Sequence, residues 1–332
     1  MNKTLGGFNQ KTILITGGTG SFGKAFLKFL ITKHKPKKVI IFSRDELKQY
    51  NLSQKLKNDN VRFFLGDVRD KDRLLRALNN VDLVVHAAAL KQVVAAEYNP
   101  TETIQTNITG AENLINTSID QGVKKVLALS TDKAVNPINL YGATKLCSDK
   151  LFIAGNALSG KNGTKFSIVR YGNVLGSRGS VVNIFKEQVK NKLIQLTDPK
   201  MTRFILTIEE AINFVSFCFS LMKGKEIFIP KIPSVKIINL AEAIGKECKI
   251  KVMGKRPGEK LHESMIPIDE SDKTLEYKKF YIIFQELAKE YINQKYNNEK
   301  GCELKYSFSY DSSNNTDWLN KKDISKLLKK VD

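Results

Sequence analysis

The sequence predicts an α/β fold, in which a doubly wound parallel sheet is followed by a smaller carboxyl-terminal lobe. Short apolar runs alternate with helix-length segments through the first half, and a glycine-rich turn follows the first run. The second half loses this regular alternation. Continuous apolar strands are typical of parallel sheets that helices cover on both faces. A chain of 332 residues has room for one large domain with a smaller partner.

The predicted elements follow in order along the chain. Strands are expected at 11–16, 38–42, 61–65, 82–86, 125–129 and 166–170, with helices over 21–32 and from about 140. Later come a helix at 208–222, a strand at 226–229 and a helix at 237–246. We assign residues 8–172 to a Rossmann-type domain, to which segments near 205–235 return, and 173–332 mainly to a substrate-binding lobe. Their cleft would lie at the carboxyl edge of the sheet, where such folds bind ligands.

Composition excludes several classes of protein. Hydrophobic residues make up 42% and charged residues 27% of the chain, which does not predict disorder. The most apolar helix-length run, 211–222, is too short and too polar to span a bilayer. The first ten residues lack the apolar segment of an export signal, so we expect a cytoplasmic protein without a membrane partner. Four scattered cysteines and three histidines favour neither disulfides nor a metal site.

The net charge of +20 raises the possibility of nucleic-acid binding. The lysines are spread along the chain, with small clusters at 33–38 and 321–330, and no recognisable nucleic-acid module accompanies them. We therefore interpret the charge as a lysine-rich surface and expect no nucleic-acid partner. A positive field would still favour small anionic substrates.

Residues 16–23, with the sequence TGGTGSFG, follow the first predicted strand and open the first helix. Gly17, Gly20 and Gly23 form a G-x-x-G-x-x-G pattern. Glycine permits a tight turn and close approach of the backbone, and a helix N terminus offers free N–H groups to a pyrophosphate. We therefore predict a dinucleotide site, which also uses Thr19, Ser21 and Phe22.

The end of the second strand selects the cofactor. NAD-specific sites usually place an acidic residue there, to bind the ribose 2′-hydroxyl. Here Ser43 and Arg44 come first, and a guanidinium can pair with a 2′-phosphate and stack on adenine. This favours NADP over NAD, although Asp45 leaves NAD open unless it only caps the next helix. Further cofactor contacts are expected from Glu46, Lys48, Asp67, Val68, Ala87, Ala88, Ala89, Leu129 and Ser130.

Tyr141 and Lys145 form a Tyr-x-x-x-Lys pattern at the start of a predicted helix. This spacing places both side chains on one face of the helix. A nearby ammonium lowers the pKa of a phenol from about 10, so that a tyrosinate can take a hydroxyl proton as hydride leaves the carbon. Such pairs also occur by chance on lysine-rich surfaces, but the position shortly after the fifth strand favours catalysis. Thr131 would add a second hydroxyl.

This arrangement resembles the extended short-chain dehydrogenase/reductase superfamily. Asp132 and Lys133 stand where sugar-nucleotide 4,6-dehydratases that retain configuration carry Asp-Glu, and Asp-Lys resembles the inverting UDP-N-acetylglucosamine 4,6-dehydratases, which begin pseudaminic acid synthesis. The segments GGTGSFGK, SRDELKQ, STDKAVNPINLYGATKLCSDKLF, RYGNVLGSRGSV and RPGEKLHE are similar to motifs of that family. The chain departs from the family pattern at 92–94, where it has Gln-Val-Val in place of the usual His-Val-Pro.

The resemblance implies NADP-dependent dehydration of UDP-N-acetylglucosamine with inversion at C5, by a homo-oligomer between dimer and hexamer. It places Lys91 beside cofactor and sugar, and Val174 at the nicotinamide. The implied substrate contacts are Lys91, Asn173, Arg178, Gly179, Ser180, Val181, Thr202, Arg256 and Glu259. No metal is implied.

For the dehydration itself, we expect Asp132 to protonate the departing 6-hydroxyl and a neutral Lys133 to remove the C5 proton. Burial and cations such as Lys145 would have to lower the pKa of Lys133 from about 10.4. Two alternatives stay open: a retaining 4,6-dehydratase or 4-epimerase, and a non-catalytic NADP-binding scaffold. A scaffold would have no need for Thr131, Asp132, Lys133, Tyr141 and Lys145 together.

Overall fold

The computed structural model describes residues 7–56, 58–161, 163–177, 179–285 and 294–331. The strands are β1 Thr12–Thr16, β2 Lys38–Ser43, β3 Val61–Leu65, β4 Leu83–His86, β5 Lys125–Thr131, β6 Lys165–Tyr171, β7 Asn173–Val174, β8 Leu193–Leu196, β9 Thr202–Leu206, β10 Ile227–Pro230, β11 Ser234–Lys236, β12 Lys249–Val252, β13 Ser264–Ile266, β14 Thr274–Glu276, β15 Phe280–Ile283, β16 Lys295–Tyr296, β17 Glu299–Lys300, β18 Cys302–Glu303 and β19 Tyr310–Asp311.

The helices are α1 Ser21–Lys33, α2 Glu46–Lys55, α3 Lys71–Ala77, α4 Val93–Tyr98, α5 Pro100–Ile104, α6 Gly110–Asp120, α7 Leu140–Ser159, α8 Val181–Val189, α9 Ile208–Leu221, α10 Ile237–Ile244 and α11 Lys321–Val331. A π-helical turn covers Gln105–Thr109, and 3₁₀ turns cover Asp132–Ala134 and Ile268–Lys273.

Within the described residues, ten strands form one sheet in the order β18-β14-β15-β10-β6-β5-β4-β1-β2-β3. Strands β1 to β6 and β10 are mutually parallel. The chain crosses from β3 at one edge to β4 beside β1, which creates the switch point where open α/β sheets bind ligands. The predicted Rossmann-type fold is confirmed, and the observed bounds of its strands differ from the predicted ones by at most two residues.

The carboxyl-terminal half contributes more to this sheet than the sequence indicates. Besides β10, the sheet takes up β15, β14 and β18, each antiparallel to its neighbour. The smaller lobe contains the sheet β11-β9-β7 and the pair β12-β8. It has its own hydrophobic core, built from residues such as Phe185, Ile194, Val235 and Leu240.

Side chains at helix N termini explain why several helices begin where they do. Asp45, Asp70 and Asn139 each accept a backbone N–H in the first turn of α2, α3 and α7. Thr207 and Glu210 form a capping box at the start of α9. These contacts satisfy N–H groups that have no partner within the helix. No helix in the described parts of the chain combines the length and the apolarity that a bilayer crossing needs.

One buried carboxylate joins three parts of the fold away from the cleft. Glu226 accepts hydrogen bonds from the Ser167 hydroxyl at 2.5 Å and the Tyr296 hydroxyl at 2.8 Å. It also accepts the backbone N–H groups of Lys223 at 2.8 Å and Gly224 at 2.9 Å. Burial raises the pKa of Glu226, although these donors act in the opposite direction. The side chain thus links β6, the turn before β10 and β16.

Glu226→Gln should lower the free energy of unfolding by about 2 kcal/mol, because the amide nitrogen cannot accept these hydrogen bonds and leaves buried donors unpaired. Urea denaturation would show this as a lower midpoint at unchanged slope. Glu276→Gln is the matched control: its carboxylate lies 2.6 Å from Lys231 in a partly exposed ion pair, which should contribute less than about 1 kcal/mol. Equal midpoints for the two variants would show that the buried hydrogen bonds do not stabilise the fold.

Candidate active site

A cavity of about 1190 Å³ lies at the carboxyl edge of the main sheet, against the smaller lobe. Most of the predicted cofactor residues line it: Gly17, Thr19, Gly20, Ser21, Phe22, Gly23, Ser43, Arg44, Asp45, Lys48, Asp67, Val68, Ala87, Ala88, Ala89, Lys91, Leu129, Ser130 and Val174. The predicted substrate residues on its wall are Lys91, Asn173, Gly179, Ser180, Val181, Arg256 and Glu259. Thr131, Lys133, Tyr141 and Lys145 also line it.

Four predicted site residues are not found on the described cavity wall. Glu46 is exposed in the first turn of α2, because Asp45 already caps that helix. Thr202 is buried in β9, where its hydroxyl contacts His262 and Ser312. Asp132 is fully buried behind the wall. Arg178 lies outside the described residues.

The glycine-rich turn meets the end of β4 at van der Waals distance. Gly17 has φ +63°, and a Cβ there would lie 2.8 Å from the Ala87 oxygen and from the Ala88 nitrogen. The first turn of α1 has no acidic residue and no side-chain cap at Gly20. The N terminus of α1 thus presents backbone N–H groups to the cavity, the kind of group that can bind an anion.

A threonine that the sequence analysis missed holds this junction together. The Thr16 hydroxyl accepts the backbone N–H of Ala87 at 3.1 Å and of Ala88 at 3.2 Å. It lies 2.8 Å from His86 Nδ1, to which its own hydrogen can be donated. Burial, with a smaller contribution from Lys145, lowers the pKa of His86 to about 3, so the ring is neutral. Thr16 and His86 end neighbouring parallel strands in register, which is the signal that could have identified them.

The expected 2′-phosphate site lies at the end of β2. Asp45 caps α2 by accepting the Lys48 N–H at 2.9 Å. Its carboxylate therefore has the helix-capping role that the sequence analysis considered beside ribose binding. The half-exposed Arg44 guanidinium lies 3.6 Å from Asp67, which also pairs with Arg69 at 2.8 Å. Burial raises the pKa of Asp67, but hydrogen bonds from Arg69 outweigh it and the pKa is lowered.

The catalytic helix packs directly against the turn that carries Asp132 and Lys133. The Asn139 side chain accepts the Gly142 N–H at 2.8 Å and donates to the Gly258 oxygen at 2.8 Å. A Cβ at Gly142 would lie 2.2 Å from the Lys133 carbonyl oxygen, so only glycine allows this contact. Tyr141 and Lys133 consequently share one wall of the cavity.

The loop after β4 is held by an asparagine in the π-helical turn. Asn107 is buried, and its side chain bonds both the N–H and the carbonyl of Leu90 at 2.9 Å. It also donates to the Thr144 hydroxyl at 3.0 Å. Single π-helical turns are frequent at functional sites. This contact ties the loop that contains Lys91 to the catalytic helix.

Burial dominates the electrostatics of Tyr141 and Lys145. It raises the pKa of Tyr141 to about 12, although the charge of Lys133 and a hydrogen bond with Thr131 oppose it. It lowers the pKa of Lys145, while Asp149 acts in the opposite direction. Asp149, four residues after Lys145, accepts the Ser130 hydroxyl at 2.6 Å. The sequence analysis missed Asp149, although the i, i+4 spacing to Lys145 is visible in the helix.

Lys133 is paired with two carboxylates. Its Nζ lies 2.9 Å from Asp132 Oδ1 and 3.4 Å from Glu263 Oε1. Burial lowers its pKa, but these two carboxylates outweigh burial and raise the pKa above its ordinary value. The expected lowering of this pKa is therefore wrong here, because the nearest charged groups are carboxylates rather than cations. Among the described residues, no group of metal-ligating side chains is arranged to hold a metal ion.

Comparison with known proteins identifies close relatives. A family model described as "Polysaccharide biosynthesis protein" matches residues 13–285. A UDP-N-acetylglucosamine 4,6-dehydratase (inverting) from Campylobacter jejuni is 51% identical over 97% of this chain and 98% of its own. A UDP-glucose 4-epimerase from Rickettsia bellii is 40% identical, covering 98% and 97%. The X-ray structure of Pen from Bacillus thuringiensis superposes with TM-score 0.89 at 37% identity, covering 98% of both chains.

Gly17→Ala should reduce dinucleotide affinity at least about tenfold, equivalent to about 1.4 kcal/mol, because its methyl group would push the turn away from β4. Titration calorimetry with NADP measures this loss. The matched control is Gly122→Ala, which has a similar φ of +66° with nothing within 4 Å of the added Cβ. That variant should cost about 1 kcal/mol of stability and leave binding unchanged. Equal affinities of both variants would mean that close approach at Gly17 is not needed for binding.

Proposed function

The chain belongs to the polysaccharide biosynthesis protein family, and we propose that within it the protein is a UDP-N-acetylglucosamine 4,6-dehydratase that inverts C5. One observation carries the proposal. Ser130, Thr131 and Lys133 line one cavity together with Tyr141 and Lys145, and Asp132 is buried beside Lys133, in a chain 51% identical to a dehydratase of that name. The product would be UDP-2-acetamido-2,6-dideoxy-β-L-arabino-hex-4-ulose, formed in the first step of pseudaminic acid synthesis.

The cavity fits an NAD(P) cofactor, and we assign NADP. The glycine turn and the uncapped N terminus of α1 suit the pyrophosphate. Arg44 is the half-exposed cation at the end of β2, while the carboxylate of Asp45 is engaged as a helix cap. When bound, the nicotinamide would accept hydride from C4 in its oxidised form and return it to C6 in its reduced form, and the positive charge of the oxidised form would favour tyrosinate.

Tyr141, assisted by Thr131, accepts the proton of the 4-hydroxyl. Tyr141 lies on the cavity wall, where burial raises its pKa to about 12 instead of lowering it as the sequence analysis expected; the charge of Lys133 and the hydrogen bond with Thr131 act towards its ionised form. Tyrosinate takes the O4 proton as C4 is oxidised. Lys145 supports this state with its positive charge, and Asp149 holds that charge in the buried site.

Dehydration needs an acid and a base beyond Tyr141. Oxidation at C4 acidifies the C5 proton, and loss of the 6-hydroxyl requires a proton donor. The ion cluster of Lys133 with Asp132 and Glu263 supplies both kinds of group beside the cavity. Reprotonation of C5 from the opposite face gives the inverted sugar.

This cluster is also what favours a dehydratase over the 4-epimerase named for the Rickettsia relatives. Epimerisation at C4 requires only a hydroxyl with the Tyr/Lys pair. Even when buried charges are paired, the loss of hydration can outweigh their attraction, so a cluster without a chemical task would add little to stability. The same reasoning argues against a scaffold that only binds the cofactor.

The cofactor assignment is tested with Arg44→Asp. Reversing this charge should weaken NADP binding about ten- to a hundredfold and leave NAD binding nearly unchanged, because a carboxylate would face the 2′-phosphate. Fluorescence titration with both cofactors measures the difference. Arg76→Asp, on an exposed position of α3, makes the same change in net charge away from the cavity and should affect neither cofactor. An equal loss for NADP and NAD would contradict the assignment.

The reaction is tested by NMR of the product formed from UDP-N-acetylglucosamine in heavy water. The product should carry deuterium at C5 with inverted configuration and a methyl group at C6. Asp132→Asn and Lys133→Met should each reduce turnover by about 10²–10⁴-fold, the usual contribution of a general acid–base group, with NADP binding retained. Retained configuration at C5 would indicate a retaining dehydratase, and an intact 6-hydroxymethyl group would indicate an epimerase.

A further inference from the structure

A second carboxylate faces the cavity from the segment that leads into β13. Glu263 is 2% exposed and lines the cavity. Its Oε1 lies 3.4 Å from Lys133 Nζ and 3.9 Å from Arg203 Nε. Its Oε2 lies 3.8 Å from Lys260 Nζ and has no hydrogen-bond partner among the described residues. A buried carboxylate oxygen without a hydrogen bond is costly, and such groups are found where a ligand or a reaction uses them.

The backbone of Glu263 is rigidly placed. Its N–H donates to the Ser312 hydroxyl at 2.9 Å, and its carbonyl accepts the Ser312 N–H at 2.8 Å. The Ser312 hydroxyl lies 2.7 Å from the Thr202 hydroxyl. Thr202, which was expected to contact the substrate, therefore supports Glu263 instead. A base that must reach one carbon atom benefits from such support.

The two carboxylates that pair with Lys133 are placed differently. Asp132 is fully buried and does not line the described cavity; its Oδ1 accepts hydrogen bonds from Thr131 at 3.0 Å and from Lys133 at 2.9 Å, whereas its Oδ2, like Oε2 of Glu263, has no hydrogen-bond partner among the described residues. Glu263 lies on the wall itself. Of these two anions, Glu263 is thus the one that a bound sugar can touch.

We propose that Glu263 is the catalytic base that removes the C5 proton, and that the Lys133 ammonium is the acid that protonates the departing 6-hydroxyl. This inference rests on the proposed dehydratase function. It reverses the role expected for Lys133 and assigns to Asp132 the task of holding Lys133 in its charged form. The ionisation that the structure shows for Lys133 is the one this step requires, because carboxylates raise its pKa.

The protons and electrons of the elimination balance between Glu263 and Lys133. The C5–H bond breaks as Glu263 takes the proton, and its electrons form the C5–C6 double bond. The C6–O6 bond breaks as Lys133 gives a proton to O6, and water leaves. The protonated Glu263 then returns its proton to the neutral Lys133 amine, which restores the ion pair. The number of protons also balances over the whole reaction: Tyr141 takes one proton from O4, and C5 later receives one proton.

The charged and titratable groups that face Lys133 are Asp132, Glu263, Arg203, Lys260 and Tyr141. Without the negative charge of Glu263, the three neighbouring cations would repel one another, and the pKa of Lys133 would fall. If neutral Lys133 were the base, Glu263→Gln would therefore make it more available. If Glu263 is the base, Glu263→Gln loses removal of the C5 proton at every pH. The two assignments predict opposite results.

The test uses UDP-N-acetylglucosamine and the NADP-loaded enzyme in heavy water, with deuterium at C5 of recovered sugar nucleotide followed by NMR. Glu263→Gln should reduce C5 exchange and dehydration by at least about 10²-fold from pH 6 to 9. Oxidation at C4, read by the absorbance of reduced nicotinamide, should remain. Lys133→Met should lose dehydration but still exchange the C5 proton. Glu263→Asp, which keeps a carboxylate, should retain part of the exchange.

Glu276→Gln, which removes a carboxylate from a lysine pair outside the cavity, should behave as wild type. Thermal unfolding and NADP affinity of Glu263→Gln show whether this variant is folded. If it is not folded, C5 exchange in Lys133→Met tests the proposal instead. The proposal is overturned if Glu263→Gln keeps C5 exchange or regains it with rising pH, or if Lys133→Met abolishes exchange while C4 oxidation persists. Failure of the wild-type enzyme to release a 4-keto-6-deoxy product would instead refute the dehydratase function.

Discussion

The ion pair between Lys133 and its two carboxylates is the contact on which the arrangement of the site depends. Asp132 comes from the turn after β5, and Glu263 comes from the segment before β13. A buried ion is tolerated only when opposite charges and hydrogen bonds compensate for lost hydration. Because the compensating groups belong to distant parts of the chain, the ammonium links the turn after β5 to the segment before β13. The catalytic wall therefore exists only when both parts are folded together.

A layer of polar contacts behind this wall restricts the movement of its backbone. Thr16 holds the end of β4 against the glycine turn, and Asn107 holds the following loop against α7. Asn139 joins the start of α7 to the loop at Gly258. Arg170, buried beneath the site, pairs with Glu270 at 2.8 Å. Side chains that are fixed in this way lose little freedom when a substrate binds, which is how a site becomes pre-organised.

The sequence predicted the features that depend on local patterns. Apolar runs located β1 to β6, and the glycine spacing located the turn at Gly17. It did not predict β14, β15 and β18, since short strands that pair antiparallel at an edge have no distinctive pattern. The sequence analysis also missed Glu263, and it expected a lowered pKa for Lys133 where the structure raises it. Both depend on which groups lie next to Lys133 in space, and Glu263 is 130 positions away in the chain. Burial alone predicts a lowered lysine pKa, and only a long-range neighbour reverses that direction.

The separation between features with a local sequence pattern and features that depend on long-range neighbours explains how one fold can serve related reactions. The parts that we propose to act in C4 oxidation, namely the glycine turn, Thr131, Tyr141 and Lys145, all belong to the parallel half of the chain, where the pattern is local. Glu263 comes from the segment before β13, and only the reactions that act at C5 and C6 need a second proton-transfer group there. A change in the segment 260–263 could therefore alter the reaction without disturbing the oxidation step. Relatives 40% identical to this chain over 98% of its length bear the name UDP-glucose 4-epimerase.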